Sequence, residues 1–181
     1  MKTLILNGSP RKNGATVCMI QKLKPHLGGE IFQIDCFYEA IAPCCDCRSC
    51  RTDSCCPIDD KMQSIYSFIK SCDNIIIASP VHNAGLSSSL LSVASRFQLF
   101  SSALIFRHEK LLCNKKGAVL LAQGGSGGAE KAFDTACLIL RSVGADTIFP
   151  PVITYDTDHT PASEDISLDD KILALAKLLN E

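Results

Sequence analysis

The run NIIIAS at residues 74–79 sets the tightest limit on the fold. Its apolar centre shows no alternation of polar and apolar positions. A strand of this kind needs burial on both faces, which a parallel sheet covered by helices provides. The rest of the chain agrees. TLIL at 3–6, IFQID at 31–35, AVLLAQ at 118–123 and residues 146–149 also read as strands. Helical patterns separate them. Val17, Ile20 and Leu23 mark the first, running to Lys24; residues 59–71, with Met62, Ile65, Tyr66 and Ile69 on one face, form the next. Leu90, Val93, Ala94 and Phe97 line a third, and residues 129–143 form a fourth that Gly144 should stop. In the last, Ile172, Leu175, Ala176 and Leu179 make the apolar face, and Ser167 and Asp170 have capping-box spacing. Five strands alternating with helices imply right-handed crossovers and an α/β, doubly wound parallel sheet. At 181 residues the expectation is a single domain over 1–181. A cysteine-rich loop at 43–57 is inserted between the second strand and its helix.

The formal net charge is −1 and there is no basic stripe, which argues against a nucleic-acid partner. No apolar run approaches the roughly 20 residues needed to cross a bilayer, so no membrane role is expected. MKTLILNGSP has too short an apolar core for a secretory signal. The expectation is a cytoplasmic protein, whose thiols are kept reduced. The eleven cysteines then argue for metal binding, a redox role or simple burial rather than a disulfide scaffold.

In doubly wound sheets, ligands sit beyond the carboxyl ends of the strands, where strand order reverses. Three loops occupy that edge, at 8–16, 80–88 and 124–129. The first lies within NGSPRKNGAT, where glycine lets the backbone approach an anion and a helix start supplies free amides. Ser9, Arg11, Asn13 and Thr16 can all donate to phosphate oxygens. Neither G-x-G-x-x-G nor G-K-S/T occurs, so one terminal phosphate fits better than a pyrophosphate. The bland alternative is a capping loop that binds nothing.

LNGSPRKNGAT after the first strand, SPVHNAGLSSSLLSVASR after the third and QGGSGGAEKAF after the fourth together resemble the NADPH-dependent FMN reductases, a flavodoxin-like family. The resemblance runs from residue 1 to about residue 144. It implies a five-stranded sheet in the order 2-1-3-4-5 with helices on both faces. It implies that Ser9, Arg11, Asn13 and Thr16 hold the FMN phosphate. Pro80, Val81, His82, Asn83, Ala84 and Gly85 would lie against the isoalloxazine ring, and Gly124, Gly125 and Ser126 would close the other side. The chain departs from the family in two places. His82–Asn83 replaces the usual aromatic pair, and Ser92 and Ser95 stand where a lysine and an acid usually precede the arginine, here Arg96. His82 is a candidate proton donor near the flavin; alternatively, only its backbone touches the ring. No catalytic triad is needed, because the cofactor carries the electrons and the protein supplies position and electrostatics. His26, His108 and His159 have no motif around them and read as surface residues.

Cys44, Cys47, Cys50 and Cys55 spell C-x2-C-x2-C-x4-C. Such gaps let successive thiolates converge on one inorganic core, as compact ferredoxin runs do around a 4Fe–4S cluster. Zinc, a C-x-x-C redox pair and unligated thiols remain alternatives. PCCDCRSC followed by CCPIDDKM resembles the iron–sulfur flavoproteins, a subgroup that adds a 4Fe–4S cluster to the FMN domain. Cys56 precedes Pro57 and competes with Cys55 for the fourth position. Cys18, Cys36, Cys72, Cys113 and Cys137 read as small buried hydrophobes.

The leading expectation is an FMN-dependent oxidoreductase with NAD(P)H or ferredoxin as donor and a quinone or oxygen species as acceptor. The resemblance implies a homo-oligomer, a homodimer or homotetramer, with FMN near a subunit interface. One alternative is an NAD(P)H-dependent FMN or quinone reductase without a cluster. The other is a non-enzymatic electron carrier or redox sensor.

Overall fold

The computed structural model describes residues 1–112 and 114–181. Cys113, expected to be buried, lies outside the described residues. Strands β1 (Lys2–Asn7), β2 (Glu30–Asp35), β3 (Asn74–Pro80), β4 (Lys115–Ala122) and β5 (Ala145–Ile148) form a parallel sheet in the order β2-β1-β3-β4-β5. All of β3 but Pro80 is buried, as its apolar run requires. The edge strand β2 is mostly half-buried.

The edge beyond β4 is built from two pieces. β5 pairs with Lys115–Gly117, and a short β6 (Val152–Thr154) pairs in parallel with Leu120, Leu121 and Ala122. Pro150 and Pro151 lie between them. Proline has no N–H for the ladder, so the strand breaks there and resumes two residues later.

Helices α1 (Ala15–Leu23) and α6 (Ile166–Asn180) pack on one face over Ile5, Ile76, Ala118 and Leu120. Helices α2 (Met62–Ser71), α3 (Ser88–Ser95), α4 (Gln98–Phe106) and α5 (Ala129–Ser142) cover the other over Leu4, Leu6, Ile75, Ile77 and Val119. Three boundaries differ from the sequence expectation. α2 begins at Met62 rather than residue 59, because Asp60 Oδ1 accepts the Met62 N–H at 2.9 Å and Asp60 is held elsewhere by its other oxygen. The third helix breaks at Arg96–Phe97, and α4 follows it. Asp165, not Ser167, precedes α6, and Ser167 Oγ donates to Asp165 Oδ1 at 2.7 Å.

Residues 88–106 are, by length and composition alone, sufficient to cross a membrane. Here they fold as α3 and α4, and their apolar side chains Leu90, Val93, Phe97, Leu99 and Phe100 belong to the core. Cys36 and Cys72 are buried as expected, and burial pushes their thiols up to about 12 and about 11. Cys18 and Cys137 are only half-buried, at the margins of the stripes on α1 and α5.

Candidate functional site

The loop after β1 is braced from below. The Asn7 amide donates to Asp35 Oδ1 at 2.8 Å, and its carbonyl oxygen accepts the Ser9 N–H at 3.0 Å. Gly8 approaches α3 so closely that a Cβ there would lie 2.4 Å from Ser87 Oγ. The buried Ser9 Oγ donates to Arg11 O at 3.0 Å and accepts the Arg11 N–H at 3.2 Å. This curl leads into Gly14, which precedes α1 in an extended conformation. The first amides of α1 have no intrahelical partner and carry the positive end of its dipole.

A cleft of about 470 Å³ opens above this loop. That volume is in the range of cofactor pockets. Ser9, Arg11, Thr16, Pro80, Val81, His82 and Gly124 line it, so three loops distant in sequence converge as expected. Asn13 lines a neighbouring groove together with Arg11. Asn83, Ala84, Gly85, Gly125 and Ser126 are not in the lining. The first three form a tight turn in which His82 and Gly85 exchange two backbone hydrogen bonds of 2.9 Å. Asn83 and Ala84 both have positive φ, 50° and 59°, as a type I′ turn requires. His82 itself is exposed at the rim, as are His26, His108 and His159 elsewhere.

This turn touches the glycine-rich loop opposite. Gly128 has φ of 98°, and a Cβ there would meet the Ala84 Cβ at 2.8 Å. Gly128→Ala therefore combines a left-handed penalty with a clash. It should lower the melting temperature by roughly 3–8 °C, for a loss of about 1–2 kcal/mol. An unchanged melting temperature would show that the two loops do not bear on each other.

Two cleft residues were not anticipated. Thr157 and Asp158 come from the loop after β6. Thr157 donates to Gln123 O through both N–H (3.0 Å) and Oγ1 (3.1 Å). Gly124 leaves room for Asp158, whose Oδ2 would lie 2.4 Å from a Cβ there. The missing signal was β6. Without it, residues 155–165 do not count as a loop at the carboxyl edge. Gln123 is buried, and both its amide atoms lack a partner among the described residues.

The cysteine loop leaves the same edge after β2 but settles on the helical face. A pocket of about 50 Å³ is walled by Tyr66 of α2, Arg96 at the α3–α4 junction and Leu99 and Ser102 of α4. Cys44, Cys45, Cys47, Cys50 and Cys56 line it; Cys55 does not. It shares no lining residue with the cleft. The Cys44 N–H donates to Ser95 Oγ at 2.9 Å, and Cys50 Sγ donates to Ser102 Oγ at 3.2 Å. Arg107 Nη1 donates to the carbonyls of Cys50 and Asp53. Hydrogen bonds from the Ser49 backbone and hydroxyl hold the Cys47 thiol below its usual range. Among the described residues, no three His, Cys, Asp or Glu side chains converge as they would on a single metal ion.

Arg96 lies at the base of this loop, with its side chain 1% exposed. Nη1 donates to Asp60 Oδ2 at 2.8 Å and to Ala42 O at 2.9 Å, and Nη2 donates to Ile58 O at 3.4 Å. Asp60 Oδ2 also accepts the Ala42 N–H at 3.2 Å. Burial opposes the Asp60 charge, but hydrogen bonds from Arg96, Met62 and Ala42 win and hold its carboxyl below the usual range.

The model of the NADPH-dependent FMN reductases matches residues 1–160. The chain belongs to that family. Among its relatives, the iron–sulfur flavoprotein of Methanosarcina thermophila is 33% identical over 139 residues, which cover 75% of this chain and 70% of that one. Four further relatives, at 25–30% identity, are also described as iron–sulfur flavoproteins. The fold is that of an FMN-dependent NADH-azoreductase from Bacillus anthracis solved with FMN, with a TM-score of 0.68 at 15% identity, covering 100% of both chains. It also matches a quinone reductase, assigned as such only provisionally, from Klebsiella pneumoniae, with a TM-score of 0.63 at 16% identity, covering 99% of this chain and 83% of that one. Family membership makes this chain an FMN-dependent oxidoreductase. Its own geometry fits an FMN. The cleft has the volume, a helix start and an arginine serve an anion at one end, and Gln123 adds a buried amide still unpaired.

Proposed function

We propose that this FMN reductase carries a 4Fe–4S cluster on Cys44, Cys47, Cys50 and Cys56, takes electrons from NAD(P)H or ferredoxin and delivers them to a small acceptor such as a quinone or an oxygen species. When bound, FMN exchanges electrons in pairs or singly, and a four-iron cluster exchanges them singly.

In this reading Ser9, Arg11, Thr16 and the first amides of α1 would hold the phosphate, with Asn13 at the outer margin. Thr157 and Asp158, which line the cleft, would bind the ribityl hydroxyls. Pro80, Val81, His82 and Gly124, which line the cleft, would hold the ring, with the Asn83–Gly85 turn and with Gly125 and Ser126 beyond the lining as its outer neighbours. His82, at the rim, is within reach of solvent and can supply a proton to that edge.

The observation that carries the cluster reading is the pocket of five cysteines against a buried arginine. Thiolates are the donors such a cluster needs, and a four-iron core spreads its ligands over a wider span than one ion does. Cys56 lines the pocket and Cys55 is exposed outside it, which favours Cys56 as the fourth ligand. After anaerobic reconstitution, Cys56→Ser should lose most of its iron while Cys55→Ser keeps it. The reverse result would restore Cys55.

A cluster-free NAD(P)H-dependent FMN or quinone reductase is the second reading. It is favoured by the exposure of Cys44, Cys45, Cys47 and Cys55 and by the lack of convergence on a single ion. It predicts full quinone turnover by iron-free protein. Exposed Leu104, Ile105 and Phe106 on α4 support assembly of a homo-oligomer in either case.

A further inference from the structure

We propose that Arg96 is the counter-cation of the cysteine pocket: pinned by Asp60, it joins the two ends of the loop and sets the reduction potential of whatever the cysteines hold. The proposal rests on the cluster reading above.

Arg96 touches both ends of the loop at once, Ala42 O before the cysteines and Ile58 O after them. One guanidinium thus determines whether Cys44 and Cys56 face the same space. A clasp needs only the two Nη groups. Arg96 Nε is also buried, has no partner among the described residues and belongs to a side chain that lines the pocket. An unpaired buried donor on a cation calls for an acceptor, and thiolate sulfur is the acceptor chemistry present.

Cys56 and Tyr66 line the same pocket as Arg96. Tyr66 is itself held by a 2.9 Å bond from its hydroxyl to Arg96 O. A guanidinium is charged at every accessible pH, and the 2.8 Å bond to Asp60 fixes that charge in place.

The other cations near the pocket are Arg48 and Arg51, which line it, and Arg107, which does not: Arg107 donates to the Cys50 and Asp53 carbonyls and is paired with Glu109. Arg48 is exposed and paired with Asp46, and Arg51 is exposed and stacked over Phe106. Water and salt screen the exposed charges; among the cations that line the pocket Arg96 alone is buried, and its partner Asp60 is not in the lining. Four thiolates around an iron–sulfur core are anionic before reduction and more so after it. A fixed cation therefore favours the reduced form, and removing it shifts the potential to more negative values.

The test compares the unaltered chain with Arg96→Lys and Arg96→Gln after anaerobic reconstitution with iron and sulfide. Iron and sulfide content are measured, and the midpoint potential is followed by EPR-monitored titration. Arg96→Lys keeps the charge and should stay close to the unaltered potential. Arg96→Gln should titrate at more negative potential, with the reduction equilibrium weakened by about tenfold or more. Equal loss of iron in the two Arg96 variants, or an unshifted potential in an iron-loaded Arg96→Gln, would reduce Arg96 to a clasp and overturn the proposal. An unaltered chain that takes up no iron or sulfide would instead remove the cluster reading itself, and this proposal with it.

Discussion

Replacing Ser9 and Arg11 together by alanine should strip the protein of FMN while leaving the cysteine pocket intact. Ser9 Oγ carries two of the hydrogen bonds that curl the loop, one in each direction with the backbone of Arg11. Its loss opens the curl from which the anion-binding amides project. The Arg11 side chain, on the cleft wall, adds the charge. Two charge-assisted contacts to a phosphate, at about 1.5–3 kcal/mol each, correspond to a loss of FMN affinity of about 10²–10⁴-fold. Equilibrium dialysis or flavin fluorescence on the refolded variant would measure it. Iron content should not change, because the two pockets share no residue. Retention of FMN at unaltered affinity would place the phosphate elsewhere.

The second large effect is on stability. Asp60→Asn removes the charge that compensates Arg96, whose side chain is 1% exposed, against 10% for that of Asp60. Leaving one partner of a buried pair uncompensated costs about 3–5 kcal/mol. For a chain of this size that lowers the melting temperature by roughly 10 °C. The pH dependence follows from the depressed carboxyl. A group whose folded pKa lies below its unfolded value stabilises the protein above the unfolded value, 3.8 here, and loses that contribution as pH falls through the folded value. The gap between the variant and the unaltered chain should therefore be widest near neutral pH and close in strong acid. A gap that persists unchanged in acid would mean that Asp60 acts by shape, not charge. The same substitution loosens the junction of Ala42 and Ile58, so iron retention should fall with stability.

Much of the fold was legible because burial on both faces leaves a strong imprint. NIIIAS and AVLLAQ have the composition of central parallel strands, and the structure buries nearly all of β3 and β4. The three glycine- and serine-rich loops were legible for a related reason: close backbone approach restricts residue type, as at Gly8, Gly124 and Gly128. What was hidden depended on pairings across the chain. β6 is three residues long and follows two prolines, so no periodicity marks it, and with it went Thr157 and Asp158. The break between α3 and α4 lies in a continuous apolar pattern and shows only once Arg96 turns to meet Asp60. Cysteine spacing gave the ligand types but not which of Cys55 and Cys56 faces inward, because adjacent residues differ only in direction.

One preparation tests the central claim, that this FMN reductase joins a flavin cleft to an iron-loaded cysteine pocket. Protein purified anaerobically is assayed for FMN, iron and acid-labile sulfide against chain concentration. The expected result is about one FMN with about four irons and four sulfides per chain. Full flavin with neither iron nor sulfide, or zinc in their place, would contradict it.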